Sequence, residues 1–167
     1  MNKNPKIIAS IALAFVSLLI LGAIFFIKNN VNSAPQSLPI QNKETSSSQV
    51  TIKGRAFNVE IAATEEKREQ GLSGKQFLPA NSGMLFIFDA PDFYEFWMNG
   101  MLFPLDFVWI NGNKIVDLAE NVPAPLNGVS VEIIKPKTKA DKVLEINAGA
   151  INANGIEMGD DIEIAIP

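Results

Sequence analysis

Residues Ile7 to Ile27, IIASIALAFVSLLILGAIFFI, form a run of 21 residues without one charged side chain. As a helix rising about 1.5 Å per residue, the run is about 30 Å long, enough to cross the hydrocarbon core of a bilayer. A cleaved export signal has a shorter apolar region, roughly 7–15 residues, ending in a small-residue site. VNSA at 31–34 is a mediocre site of that kind, because Pro35 follows it directly. The run therefore reads as an uncleaved transmembrane anchor, with a cleaved signal as the alternative. Lys3 and Lys6 precede it and only Lys28 follows closely. That bias places residues 1–6 in the cytoplasm and the rest of the chain outside it. A secreted or periplasmic protein results if the leader is removed.

Residues 28–48 are rich in Asn, Ser, Pro and Gln and read as a flexible polar tether. Residues 49–167 remain, 119 in number and enough for one core. Charge divides unevenly between these parts. Residues 1–48 carry four lysines against Glu44, net +3, whereas residues 49–167 carry 10 basic and 17 acidic groups, net −7. An acidic globular part repels phosphate backbones, which argues against a nucleic-acid partner. The expected partners are the membrane, through the N-terminal helix, and an envelope component or another protein.

The 167 residues include no cysteine and no histidine. Disulfides, thiolate chemistry, imidazole metal sites and Ser-His or Cys-His catalysis are all excluded. No catalytic motif is recognisable, and no cofactor or metal is implied.

Hydrophobic patterning in 49–167 predicts mostly short strands. QVTIKGRAFNVEIAAT alternates on both sides of Gly54, predicting strands near 49–53 and 56–63. TEEKREQGLS predicts a surface helix capped by Thr64 and ended by Gly71, with Leu72 as its apolar follower. MLFIFD (84–89) predicts a strand buried on both faces, DAPD (89–92) a turn, and YEFWM (94–98) the next strand. Asn99-Gly100 marks a turn, and Pro104 restarts the chain before a strand at 105–110. Asn111-Gly112-Asn113 turns into a strand at 114–120. Residues 121–142, with Pro123, Pro125 and Pro136, read as a long irregular connection containing a short strand at 129–134. A strand at 142–146, a short helix at 148–155 and a final strand at 161–166 complete the chain. The expected fold class is α+β: one β-rich domain, a curled sheet or partly closed barrel with two short helices.

Within FWMNGMLFPLDFVWI (96–110), Asp106 is the one ionisable group in an otherwise buried pattern. Alternation puts Asp106, Val108 and Ile110 on one face and Leu105, Phe107 and Trp109 on the other. A buried carboxylate needs hydrogen bonds or a cation. Structurally, Asp106 would accept backbone N–H groups from the Met98–Pro104 turn; functionally, it would be an acid, base or cation ligand at a cleft. Glu145, on the apolar strand VLEI, is the second such carboxylate, and the two would form an acid/base pair if they faced one cleft. Trp97, Asn99, Gly100, Pro104 and Asp106 form the candidate ligand-facing region, since sites concentrate in loops on rigid scaffolds. Phe93, Tyr94, Phe96 and Trp97 read as core packing, with a stacking surface for a sugar or peptide as the alternative. Asp89, Asp92 and Glu95 lack the spacing of a calcium loop and read as a solvated turn. A Ser73–Lys75 nucleophile pair has no other support.

Five blocks occur in order: GLS at 71–73, GMLFIF at 83–88, FWMNGMLFPLDFVWI at 96–110, VLEINAG at 143–149 and GIEMGDDIEI at 155–164. Together they resemble the domain of unknown function 192 family of bacteria and archaea, over roughly residues 50–166. The resemblance implies a compact β-rich fold and no established activity. The family's usual Trp-Met-Lys-Asn-Thr is replaced here by Trp97-Met98-Asn99-Gly100-Met101, and Lys75 stands where an Arg is common. Two functions follow as expectations. One is a membrane-anchored extracytoplasmic binding or accessory domain; the other is a carboxylate-dependent hydrolase of an envelope polymer, using Asp106 and Glu145.

Overall fold

The computed structural model describes residues 47–125 and 133–167. The expected anchor at 7–27 and most of the tether lie outside the described residues, among which no helix is long and apolar enough to cross a membrane.

β1 (Gln49–Ile52) and β2 (Arg55–Ala62) pair through a turn in which Lys53 and Gly54 both have positive φ, 48° and 75°. That backbone matches the twist of a two-residue hairpin. α1 (Glu65–Gln70) follows, with the Thr64 hydroxyl accepting the Lys67 N–H at 3.4 Å. Gly71, at φ 51°, ends the helix by donating its N–H to the Lys67 carbonyl. No residue of α1 is buried, as its charged sequence predicts, and the buried Leu72 pins its end to the core. β3 (Ser82–Asp92) runs parallel to β2, which requires the crossover that α1 supplies. β4 (Phe96–Trp97), β5 (Leu105–Asn111), β6 (Lys114–Val122), β7 (Ile133–Ile134) and β8 (Ala140–Asn147) follow, then α2 (Ala150–Asn154) and β9 (Ile162–Ala165).

Seven strands make one sheet in the order β6-β5-β8-β3-β2-β1-β9, and β4 pairs with β7 in a separate two-stranded arm. The sheet curls until its two edges meet. Lys114 on β6 bridges Asp161 beside β9, and the Ile115 and Ile162 N–H groups donate to the Asp160 and Asn113 carbonyls at 3.0 and 2.9 Å. The result is a barrel closed at one end, within the expected β-rich class.

Strand alternation divides the buried apolar groups into two clusters. Val50, Phe57, Leu85, Val108, Leu144 and Ile162 belong to the barrel interior together with Ile151 of α2. Met84, Phe86, Leu105, Phe107, Trp109 and Val143 point to the other face of β3, β5 and β8. Leu72, Leu78, Met98 and Met101 from the connecting loops cover that second face. Burying the large Trp109, Phe107 and Phe86 side chains stabilises each by about 1.5–3 kcal/mol relative to exposure.

Two expectations are corrected. DAPD is the end of β3 rather than a turn; its pairing with β8 slips between Ile87 and Asp92, and the strand carries on past the irregularity. The strand expected at 94–98 shrinks to Phe96–Trp97, because its only partner among the described residues is the two-residue β7. Of the strand expected at 129–134, residues 129–132 lie outside the described residues, and Ile133–Ile134 is a strand as expected.

Candidate functional site

Asp106 and Glu145 occupy adjacent strands yet opposite faces. In the β5–β8 register Asp106 stands opposite Ile146, and Phe107 opposite Glu145. Directly opposed residues share a face, and successive residues alternate. Asp106 therefore points with Ile146 into the barrel, and Glu145 points with Phe107 to the outer cluster. The expected acid/base pair is not assembled.

Asp106 is fully buried and satisfied. Its Oδ1 accepts the Asn121 N–H at 2.7 Å, and its Oδ2 accepts the Ile151 N–H at 2.8 Å. The donors are not those of the 98–104 turn, which corrects the structural expectation for this residue. Both donors have a local reason to lack a partner. Between Leu105 and Phe107 the β6 partner shifts from Val122 to Ala119, so Asn121, at φ 53°, bulges out of the ladder. Ile151 lies in the first turn of α2, whose N-cap is Gly149 with no side chain to offer. The carboxylate of β5 thus serves as the cap that the helix's own sequence lacks.

Glu145 has the opposite circumstances. It is 5% exposed, and its Oε2 is sealed from solvent with no hydrogen-bond partner. Burial pushes its carboxyl up to about 8, so the neutral acid predominates at pH 7. Its neighbours across the strands are Met84 and Phe107. Close strand approach fixes this position: a Cβ on Gly83 would lie 2.5 Å from the Glu145 carbonyl oxygen.

Glu145 lies in the wall of a cavity of about 450 Å³ enclosed by α1, β3 and the β4–β7 arm. One wall is a three-layer stack. The Arg68 guanidinium sits 5.3 Å from the Phe88 ring centroid, and the Tyr94 ring stacks on Phe88 at 3.5 Å and 9°. Arg68 is also tied to the Ala63 and Ile87 carbonyls at 2.7 and 3.0 Å, and the Tyr94 hydroxyl donates to the Ala90 carbonyl. Phe86 meets Phe96 edge-on at 4.9 Å. Trp97 and Ile133, paired across β4 and β7, stand at the mouth and are 62% and 58% exposed. Glu65 and Glu69 of α1 and Glu95 before β4 add carboxylates; Glu95 pairs with Lys135 at 2.6 Å.

Of the five residues expected to face a ligand, the cavity takes Trp97. Asn99 and Gly100 brace the loop after α1 instead: the Ser73 hydroxyl donates to the Asn99 carbonyl at 2.8 Å, and the Gly74 N–H to the Gly100 carbonyl at 3.0 Å. Gly100 is at φ 71°, and a Cβ there would come within 3.3 Å of Ser73. That contact gives a physical reason for glycine at this departure from the family pattern. The Pro104 carbonyl faces the Ala148 N–H beside α2. Within the cluster of Phe93, Tyr94, Phe96 and Trp97, Phe93 and Trp97 are exposed, whereas Phe96 packs on Phe107 and Trp109. Asp92 pairs with Lys139. Among the described residues no three acidic side chains converge as a metal site.

Sequence reasoning did not pick out Arg68, Phe86 or Phe88 as site residues. Phe86 and Phe88 alternate within MLFIF and so share a face, which was the available signal; nothing local told that Arg68 lies against that face. Asp117 was also missed. It is 5% exposed and accepts the Leu118 and Lys137 N–H groups, holding the start of the chain after β7.

Comparison with known proteins gives two solved structures of this fold. A putative transcription regulator from Sinorhizobium meliloti 1021 is 28% identical over 70% of this chain and 91% of its own, with a TM-score of 0.63. A protein of unknown function from Novosphingobium aromaticivorans DSM 12444 is 27% identical over 79% of this chain and 94% of its own, also with a TM-score of 0.63. No curated protein matches. The family model described as DUF192, uncharacterized ACR, matches residues 48–164, from the residue before β1 into β9. The chain belongs to the domain of unknown function 192 family.

Proposed function

We propose that the domain is a binding module that takes a small ligand, or a side chain of a partner, into the cavity of Glu145 and Trp97. In this reading the apolar segment 7–27 anchors it to the membrane, with the globular part outside the cytoplasm. The carrying observation is a buried carboxyl with an unpartnered oxygen in the wall of an aromatic-lined cavity. An unsatisfied buried polar group costs about 1–3 kcal/mol, and a ligand that supplies its partner recovers that energy on binding. A concave, mostly apolar site with a few polar groups is the usual form of a small-molecule pocket. The hydrolase expectation draws no support from this geometry, because its two carboxyls are on opposite faces.

Two measurements test the reading. For location, alkaline extraction of membranes and protease treatment of spheroplasts should leave the full chain in the membrane with the globular part cleavable from outside. Recovery in the soluble cytoplasmic fraction would refute the anchor. For binding, a fragment library titrated against the full-length protein in nanodiscs should quench or blue-shift Trp97 emission, and Trp97→Ala should remove the response. Binders that leave Trp97 emission unaltered and are indifferent to Glu145→Gln would place the site elsewhere.

A further inference from the structure

We infer that the cavity selects an organic cation with an apolar body, an amine whose charged group reaches the Glu145 carboxyl while its hydrocarbon part lies among the aromatic rings. This rests on the binding reading above and names its ligand class. Among the described residues, four carboxyl groups, of Glu65, Glu69, Glu95 and Glu145, line the space against one cation, Arg68. Arg68 is partly engaged: its Nη1 donates to two backbone carbonyls, and its guanidinium lies over the Phe88 ring. Phe86, Tyr94, Phe96 and Trp97 also line the space, and an aromatic ring attracts a desolvated cation over its face. Glu145, whose Oε2 has no hydrogen-bond partner, lines the same space.

Among the described residues, the groups facing Glu145 are few. α1 brings Glu65, Arg68 and Glu69; the segment before β4 brings Tyr94 and Glu95, the latter paired with Lys135. On the same face β3 offers Met84, Phe86 and Phe88, and β5 offers Leu105, Phe107 and Trp109, none of them titratable in this range. On β8 itself the nearest same-face neighbours are Val143 and Asn147. Because burial raises the Glu145 carboxyl to about 8, a cation that pairs with it at neutral pH must expel its proton to solvent. A neutral ligand that accepts a hydrogen bond from the protonated acid requires the reverse. The sign of the pH dependence therefore distinguishes the two.

Isothermal titration of the full-length protein in nanodiscs with phenethylammonium, and with its neutral isostere 2-phenylethanol, tests this between pH 6 and 9. The expected cation affinity rises up to about tenfold per pH unit and levels off near pH 8. Titration in two buffers of different ionisation heat should show about one proton released per cation bound at pH 6–7. Glu145→Gln should flatten the profile, and the proton count in the wild type serves if that variant fails to fold. A pH-independent cation affinity, no proton release, or no binding of phenethylammonium would overturn the inference. The alcohol binding more tightly than the cation, and weakening as pH rises, would overturn the ligand class and leave the binding module standing. Failure of the fragment library at Trp97 as well would remove both.

Discussion

The two faces of the β5–β8 pair carry one buried carboxyl each, and they solve the same problem in opposite ways. Asp106 enters the barrel interior and meets two backbone N–H groups that their own elements leave unpaired. Glu145 enters the outer cluster among Met84, Phe107 and aromatic rings, where its Oε2 meets no donor. The contrast shows that burial alone does not make a carboxyl a reactive or binding group. The backbone it faces decides: a bulge and an uncapped helix turn on one side, complete ladders and apolar side chains on the other. Asp106 is therefore an anchor of the fold, and Glu145 is a buried carboxyl whose Oε2 stays without a hydrogen-bond partner, at a cost in stability.

The sharpest way to break that comparison is Asp106→Ala. It would strand two buried N–H groups at about 1–3 kcal/mol each, so a loss of about 2–5 kcal/mol is expected in chemical denaturation. A loss below about 1 kcal/mol would show that Asp106 is not the anchor. Glu145→Gln should act in the other direction. The carboxyl rises from 4.5 to about 8 on folding, so its contribution to stability is fully present below pH 4.5 and is lost as pH rises to about 8. The variant should match the wild type at pH 4 and exceed it by up to about 4 kcal/mol at pH 8–9, since the amide carries no charge to bury. Equal stability of the two at both pH values would place Glu145 in contact with water. The smallest effect is expected at the mouth of the cavity. Trp97→Ala, at an exposed position, should change stability by no more than about 0.5 kcal/mol while removing the ligand response. A larger loss would make Trp97 part of the packing of the β4–β7 arm rather than a contact for a ligand.

Much of the fold was legible locally. Thr64 and Gly71 marked both ends of α1, and Asn111-Gly112-Asn113 marked the β5–β6 hairpin. Alternation along LDFVWI separated Val108 and Ile110 from Phe107 and Trp109, as the two clusters confirm. The anomaly of Asp106 was legible too, and so was its need for hydrogen-bond donors. Which donors was not, because Asn121 and Ile151 are 15 and 45 residues away in the chain and are freed by a bulge and a helix turn. The partnering of Asp106 with Glu145 failed for a simple reason. Each sits on a strand whose pattern is visible, but their relative face depends on the register between β5 and β8.

The sequence by itself determined the family, the β-rich class, the turns and helix ends, and the exclusion of thiol and imidazole chemistry. These follow from residue types and from periodicities that act over a few neighbours. Only the tertiary structure decided that the sheet closes on itself between Lys114 and Asp161, that Arg68 and Tyr94 sandwich Phe88, and that Glu145 faces a cavity without a partner. Whether a buried carboxyl is quenched or left open depends on unpaired donors contributed by distant segments. Strand register and loop packing place those donors, and neither is written in the local pattern of any one strand.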